Sequence, residues 1–297
     1  MSPEWEQRRQ KLTESETLMD RTFAIDYKSF DQKIPAQVTW AVQEGFIEMC
    51  ASTGNYSDRD LAIMRGIATE VTYPFVAFNG TLLSLPGGTI SGTTLTVYQN
   101  NGCTSLYKRC CFKEVELIPR GIDATFRSGV NDANYGDDGC GTVRRWVERY
   151  NMRSFAQYMS DHGIVVTMPD KSLEMVEFMN WQDADFLKRT DNFIPELGYH
   201  LGKLSKESIY KSLHSHLRNA NMSEEDHFVA VVTGTMFEMI AHGRSEFESM
   251  RGHLLTVCEN NLLHVPALER TFDDSIASLI ERHDKTPPVL ITDSAAE

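Results

Sequence analysis

Residues 129–143 run GVNDANYGDDGCGTV, and the pattern is that of a hairpin turning on Gly136-Asp137-Asp138. Glycine supplies the turn and two acids stand side by side on it. Adjacent carboxylates raise each other's energy unless a cation offsets them, and oxygen-rich pairs of this kind suit Mg²⁺. A plain surface turn of Gly and Asp is the competing reading. The strand leading in, Val130-Asn131-Asp132-Ala133-Asn134, is more polar than a buried strand usually is, so a short or partly exposed strand is expected.

Working outward, TFAIDY (22–27) reads as a short buried strand that releases Asp26-Tyr27-Lys28-Ser29-Phe30-Asp31. Two carboxylates at a strand end can do different jobs, one holding a metal and the other touching substrate. Taken alone they are ordinary turn formers or caps. Pro35 starts a helix through AQVTWAVQEGFIEMCAS, residues 58–72 form another, and PFVAFNGTLLSLP folds back on Asn79-Gly80, a dipeptide of tight I′ turns. Pro86, Gly87 and Gly88 break the chain before a helix expected from Gly92 to about Glu116. Beyond the acidic hairpin come a helix at 151–161, a strand IVVTM, and one or two strands in ADFLKRTDNFI. After Pro195 the pattern changes. From Ser205 onward amphipathic helices follow one another, placing a boundary near residue 191.

Composition narrows the class. A chain of 297 residues with 41% hydrophobic content can bury a substantial core, in one large domain or two moderate ones. The sequence has no apolar run of the roughly 18 residues a membrane span needs, and the first residues are charged where a signal peptide is apolar, so a soluble protein is expected. Six cysteines without a CxxC pair point to reduced thiols in a cytosolic compartment. His214-x-His216 puts its rings on different sides of a helix, so no zinc site is named. Asn79-Gly-Thr and Asn221-Met-Ser match the glycosylation tripeptide but read as a turn and a helix start. The net charge of −13 is the wrong average for a protein that holds RNA by its phosphates. Locally Arg144, Arg145 and Arg149 cluster, as do Lys203, Lys206 and Lys211, each group also readable as a solvated helix face.

Between the two acidic elements lies Ser91-Gly92-Thr93-Thr94-Leu95-Thr96-Val97-Tyr98-Gln99-Asn100. D-x4-D, then SG-x3-T-x3-N, then YGDD, in that order, resemble motifs A, B and C of the RNA-dependent RNA polymerases of positive-strand RNA viruses, closest to the picorna-like group. Asp170-Lys171-Ser172 is similar to motif D of that group, and Phe186-Leu187-Lys188-Arg189 to its motif E. ESIYKSL and His242-Gly243-Arg244 with Phe247 look like its thumb helices, so the resemblance runs from about residue 22 to near 263.

The resemblance implies an α+β fold: a polymerase palm with a central antiparallel sheet flanked by helices, followed by a mainly helical thumb. The expected domains are an N-terminal segment (1–21), the palm (22–190, with a fingers-proximal insertion at about 54–84), the thumb (191–284) and a tail (285–297). It further implies that Asp26, Asp137 and Asp138 hold two Mg²⁺ ions, with Mn²⁺ as an alternative, for nucleotidyl transfer from ribonucleoside triphosphates to an RNA 3′-hydroxyl. For this, antiparallel pairing must bring Asp26 beside the 137–138 turn. Asp31 and Asn100 would form a hydrogen-bonded pair at the ribose 2′-hydroxyl, with Ser91, Gly92 and Thr96 shaping that pocket. Lys171 would protonate the leaving pyrophosphate, and Lys188 and Arg189 would grip the primer backbone. Implied partners are template and primer RNA, nucleoside triphosphates, a fingers region, a protein primer and other viral replication proteins. The implied setting is the host cytoplasm, in membrane-associated replication complexes.

The sequence departs from that pattern in one large respect. Only 25 residues precede Asp26, where the family places most of a basic fingers region. A palm and thumb fragment with little activity alone is therefore expected, and lost basic fingers would account for the charge of −13. The alternatives are a reverse transcriptase, which usually has a bulky residue where Asp31 stands, and a non-catalytic fragment serving as a binding module.

Overall fold

The computed structural model describes residues 4–90, 92, 94–171, 174–215 and 221–285; Ser91, Thr93, Ser172, His216 and the tail after 285 lie outside the described residues. Two compact units emerge, Leu12–Leu187 and Lys188–Glu297 with Met1–Lys11. The division falls slightly ahead of the change in sequence pattern near 191, and the first eleven residues group with the later unit.

Helix α1 (Glu4–Thr13) precedes the strand at the centre of the first unit, β1 (Thr22–Tyr27). Nearly every residue of β1 is buried, as its apolar run predicts. Phe23 stacks on Tyr150 with ring centroids 5.4 Å apart and packs edge-on against Phe155, both in the main core. After β1 come a single turn, α2 (Phe30–Lys33), then α3 (Ala36–Ser52) directly behind Pro35, and α4 (Asp58–Thr72), which Ser57 and Asp60 open with a reciprocal capping box. β2 (Phe75–Phe78) and β3 (Thr81–Ser84) form the expected hairpin, with Asn79 and Gly80 at φ 47° and 79° as a I′ turn demands.

α5 (Thr96–Phe112) starts four residues later than expected, after a turn in which the Thr96 hydroxyl donates to the Ile90 carbonyl at 3.0 Å. It also does not end where expected. The helix widens into a π turn at Lys113–Leu117 and continues as α6 (Ile118–Arg120) to Gly121. The widened turn presents the buried Glu116 carboxylate to the backbone N–H groups of Glu148, Arg149 and Tyr150, at 3.1, 2.6 and 3.0 Å. α7 (Phe126–Gly129) then leads into β4 (Val130–Tyr135) and β5 (Asp138–Val143), followed by α8 (Met152–Asp161) and β6 (Val166–Thr167). The antiparallel sheet has the order β4-β5-β1-β6. Strand β4 is half-buried, as its polar sequence suggests. Its polar side chains have partners: Asn131 Nδ2 donates to Glu14 Oε1 at 3.0 Å, while Asp132 and Asn134 both accept from Lys108.

The second unit begins with the hairpin of β7 (Arg189–Ile194) and β8 (Tyr199–Leu204). β8 was not evident in the sequence, because Gly202 and His200 weaken the strand pattern. What holds it is tertiary. Trp5 packs so tightly over Gly202 that a Cβ there would lie 2.6 Å from the ring, and Glu6 Oε2 accepts from the His200 backbone N–H at 3.0 Å. The helices α9 (Lys206–His214), α10 (Glu224–Met239), α11 (Arg244–Asn261) and α12 (Phe272–Lys285) complete this unit around their own core. Ser223 caps α10, so the Asn221-Met-Ser tripeptide is a helix start. Arg244 joins Glu196 to Asp273, and Phe247 packs on Phe272 with centroids 5.5 Å apart. Among the described residues no disulfide joins any of the six cysteines, and burial pushes the Cys103 thiol up to about 12.

Candidate active site

The hairpin turn is two residues long, because Tyr135 pairs with Asp138. Gly136 takes the positive φ, 68°, and Asp137 does not, so glycine occupies the one position where a side chain would be strained. This leaves Asp137 exposed at the tip and Asp138 half-buried at the start of β5. On the neighbouring strand Ile25 pairs with Gly139 in antiparallel register. One step along each strand from that pair are Asp26 and Asp138, so the sheet brings the first acid beside the turn that bears the other two.

Asp26 has a cation on it. Lys171 Nζ lies 2.8 Å from Asp26 Oδ2, and that hydrogen bond holds the ammonium above the usual lysine pKa. The lysine follows β6, whose Thr167 pairs with Asp26 itself. The carboxylate thus receives positive charge from Lys171, carried by the segment that follows the adjacent strand. Among the described residues no three His, Cys, Asp or Glu side chains converge as a ready cage for a metal ion.

Asp31 and Asn100 come together through an intermediary rather than as a direct pair. Thr89 donates its backbone N–H to the Asp31 carbonyl at 2.7 Å and its hydroxyl to Asn100 Oδ1 at 2.9 Å. Gln99 Nε2 donates to the same hydroxyl at 3.1 Å, and Gln43 Nε2 to Gln99 Oε1 at 3.0 Å. The loop carrying Thr89 lies on the segment after β1. Gly88 N–H donates to the Ile34 carbonyl at 2.7 Å, and a Cβ on Gly87 would sit 2.5 Å from that oxygen. Gly92 is exposed, Thr96 opens α5, and Ser91 is outside the described residues.

The acidic turn is gripped from α5 by residues that the sequence reading did not single out. Asn101 Oδ1 accepts the Gly136 N–H at 2.6 Å, and the Thr104 hydroxyl donates to the Gly136 carbonyl at 3.1 Å. An i, i+3 polar pair one residue beyond the motif asparagine was the available signal. In the second unit, Lys188 is exposed at φ 60°. Arg189 is engaged: its guanidinium makes two bonds of 2.7 Å to Glu238 and a third to the Gly202 carbonyl at 2.9 Å.

Residues 1–258 match the family described as viral RNA-dependent RNA polymerase, and the chain belongs to that family. It is 25% identical over 268 residues to the replicase polyprotein of Drosophila C virus (strain EB), covering 86% of this chain and 15% of the polyprotein. It is 26% identical over 235 residues to the RNA1 polyprotein of Andean potato mottle virus, covering 76% and 31%. Against the genome polyprotein of Feline calicivirus the identity is 28% over 196 residues, covering 65% and 10%. The chain therefore spans at most 31% of any of these three relatives. No helix among the described residues is long and apolar enough to cross a membrane.

Proposed function

We propose that this chain carries the catalytic centre of an RNA-directed RNA polymerase, with residues 12–187 as palm and the later helical unit as thumb. The observation that carries the reading is the register of β1 against β5, which stands Asp26 next to the Asp137-Asp138 turn. A carboxylate set from two strands is suited to oxygen-ligating divalent cations, and Mg²⁺ completes its shell readily with water and phosphate oxygens. Asp26 and Asp137 would hold two such ions, with Asp138 assisting and Mn²⁺ as the alternative. When bound, they supply charge neutralisation for the triphosphate and activation of the 3′-hydroxyl.

The remaining roles belong to the chain's own groups. Asn100, Thr89 and the Asp31 segment form the pocket edge that meets the ribose 2′-hydroxyl, which both donates and accepts and so distinguishes RNA from DNA. Gly92 and Thr96 would complete its rim. Lys171, exposed and beside Asp26, delivers a proton to the leaving pyrophosphate. Lys188 is the better placed of the motif E cations for primer phosphates, since Arg189 is tied to Glu238. Ile63, Ile67, Phe75, Phe78 and Leu82 are all exposed on the 54–84 insertion, apolar surface that a fingers region would cover. Template and primer RNA, ribonucleoside triphosphates, a protein primer and other replication proteins are the partners of this reading, in the host cytoplasm on membrane-associated complexes.

The test is elongation of a primed RNA template by ribonucleoside triphosphates with Mg²⁺. It should be run on this chain and on a chimera adding the segment that precedes the matched region in the Drosophila C virus polyprotein. The chain alone is expected to elongate weakly. In the chimera Asp26→Asn and Asp137→Asn should each cost at least about 10²-fold. Undiminished elongation in both variants would remove the assignment.

A further inference from the structure

The face of α5 turned to the acidic hairpin is polar, and most of it lies outside the family motifs. Asn101, Thr104 and Lys108 are spaced i, i+3, i+7, which places them on one side of the helix. The first two hold the N–H and the carbonyl of Gly136, the residue immediately before Asp137. The third is a lysine with 0% exposure. Its ammonium donates to Asp132 Oδ1 at 2.6 Å and to Asn134 Oδ1 at 2.7 Å, and Asn134 Nδ2 closes the triangle on Asp132 Oδ2 at 2.6 Å.

The location of that ammonium is informative. Asp132 and Asn134 alternate on β4 and so face the same way. Asn134 pairs with Gly139 of β5, and a Cβ on Gly139 would lie 2.6 Å from Lys108 Nζ. The charge therefore rests against the last pair of the hairpin before Tyr135 and Asp138, in space left open by a glycine. Burying an ammonium is costly unless it is paired and fully hydrogen-bonded, and the best-attested use of such a group is to enforce one register. A slip of one residue in β4 would turn Asp132 and Asn134 to the opposite face and strand the charge.

We propose that Asn101, Thr104 and Lys108 are positioning residues for the acidic turn: together they set its height and register against α5, and so where the Asp137 and Asp138 carboxylates stand relative to Asp26. The inference rests on the proposed reading of those acids as ion ligands, and extends it to residues that touch neither ion nor substrate. Asn100, beside Asn101, accepts from Thr89, so one turn of α5 connects the ribose pocket with the acidic turn.

Two measurements on the full 297-residue chain test it: backbone amide exchange at residues 136–139 without metal, and Mn²⁺ affinity by electron paramagnetic resonance. Asn101→Ala should speed exchange of the Gly136 amide by about tenfold and weaken Mn²⁺ binding by about three- to tenfold, with a thermal midpoint near wild type. Thr104→Val should act in the same direction, and Thr104→Ser, which keeps the hydroxyl, should restore both readings. Lys108→Met should weaken Mn²⁺ binding as well. If that variant does not fold, the Asn101→Ala/Thr104→Val double variant carries the test. Folded variants with wild-type exchange at Gly136, or with wild-type Mn²⁺ affinity, would overturn the proposal. Absence of Mn²⁺ binding in the wild-type chain would sink the ion-ligand reading instead, and the exchange rates would still decide the positioning.

Discussion

Lys171 Nζ stands 2.8 Å from Asp26 Oδ2, so the proposed general acid and a proposed ion ligand are paired with each other. The lysine is well exposed, so the contact is solvent-screened and readily exchanged. On the proposed reading, a divalent cation would compete with it for the same carboxylate oxygen, and the displaced ammonium would be free to serve the triphosphate.

Lys171→Met should therefore separate two properties. Mn²⁺ affinity is expected to rise by about two- to fivefold, because a competing cation is gone. Elongation by the chimera should fall by roughly 10²-fold, because a proton donor is gone. Unchanged Mn²⁺ affinity would show that the ammonium does not compete.

Gly87→Ala should destabilise the first unit. The residue sits at φ 87°, and the added carbon would lie 2.5 Å from the Ile34 carbonyl oxygen and 2.7 Å from the Ala36 nitrogen. Backbone on both sides leaves no soft neighbour to yield. A loss of about 2 kcal/mol, or roughly 4–8 °C in thermal midpoint, is expected. Gly66→Ala in α4, where nothing lies within 4 Å, should instead gain about 0.5–1 kcal/mol.

Glu116 ties stability to acid pH. Burial pushes its carboxyl up, but the N–H groups of Glu148, Arg149 and Tyr150 and the Arg120 guanidinium outweigh that and hold it below the usual value of 4.5. A depressed folded pKa means its contribution is complete above the unfolded pKa and is lost as pH falls through the folded one. Glu116→Gln should cost about 1–3 kcal/mol at pH 7 by urea unfolding. That gap should shrink steadily below about pH 4.5. A gap independent of pH would contradict the assignment.

Arg189 and Lys188 should part company. Arg189→Ala breaks the bidentate contact with Glu238 and is expected to lower the urea midpoint of the second unit, by about 1–2 kcal/mol of stability. Lys188→Ala should leave the midpoint in place and reduce the salt dependence of RNA binding by about one phosphate contact. Equal effects on RNA binding would restore Arg189 as a second phosphate grip.

Much of this molecule is local chemistry, and local chemistry is legible in the sequence. The I′ turn at Asn79-Gly80, the apolar β1, the start of α3 behind Pro35 and the hairpin bearing Asp137 and Asp138 follow from residue type and spacing. The motif order was enough to indicate the polymerase family. Tertiary structure alone decided the rest. β8 exists because β7 and Trp5 cover it, the helix begun by α5 widens at Glu116 and runs on as α6 because three distant N–H groups need that carboxylate, and the polar strand β4 is viable because Lys108 reaches it through the space at Gly139. The sequence by itself determined which acids stand on which turn. Their adjacency, with Asp26 one strand away from Asp138, is a matter of β1–β5 register, set by the packing of side chains far apart in the chain.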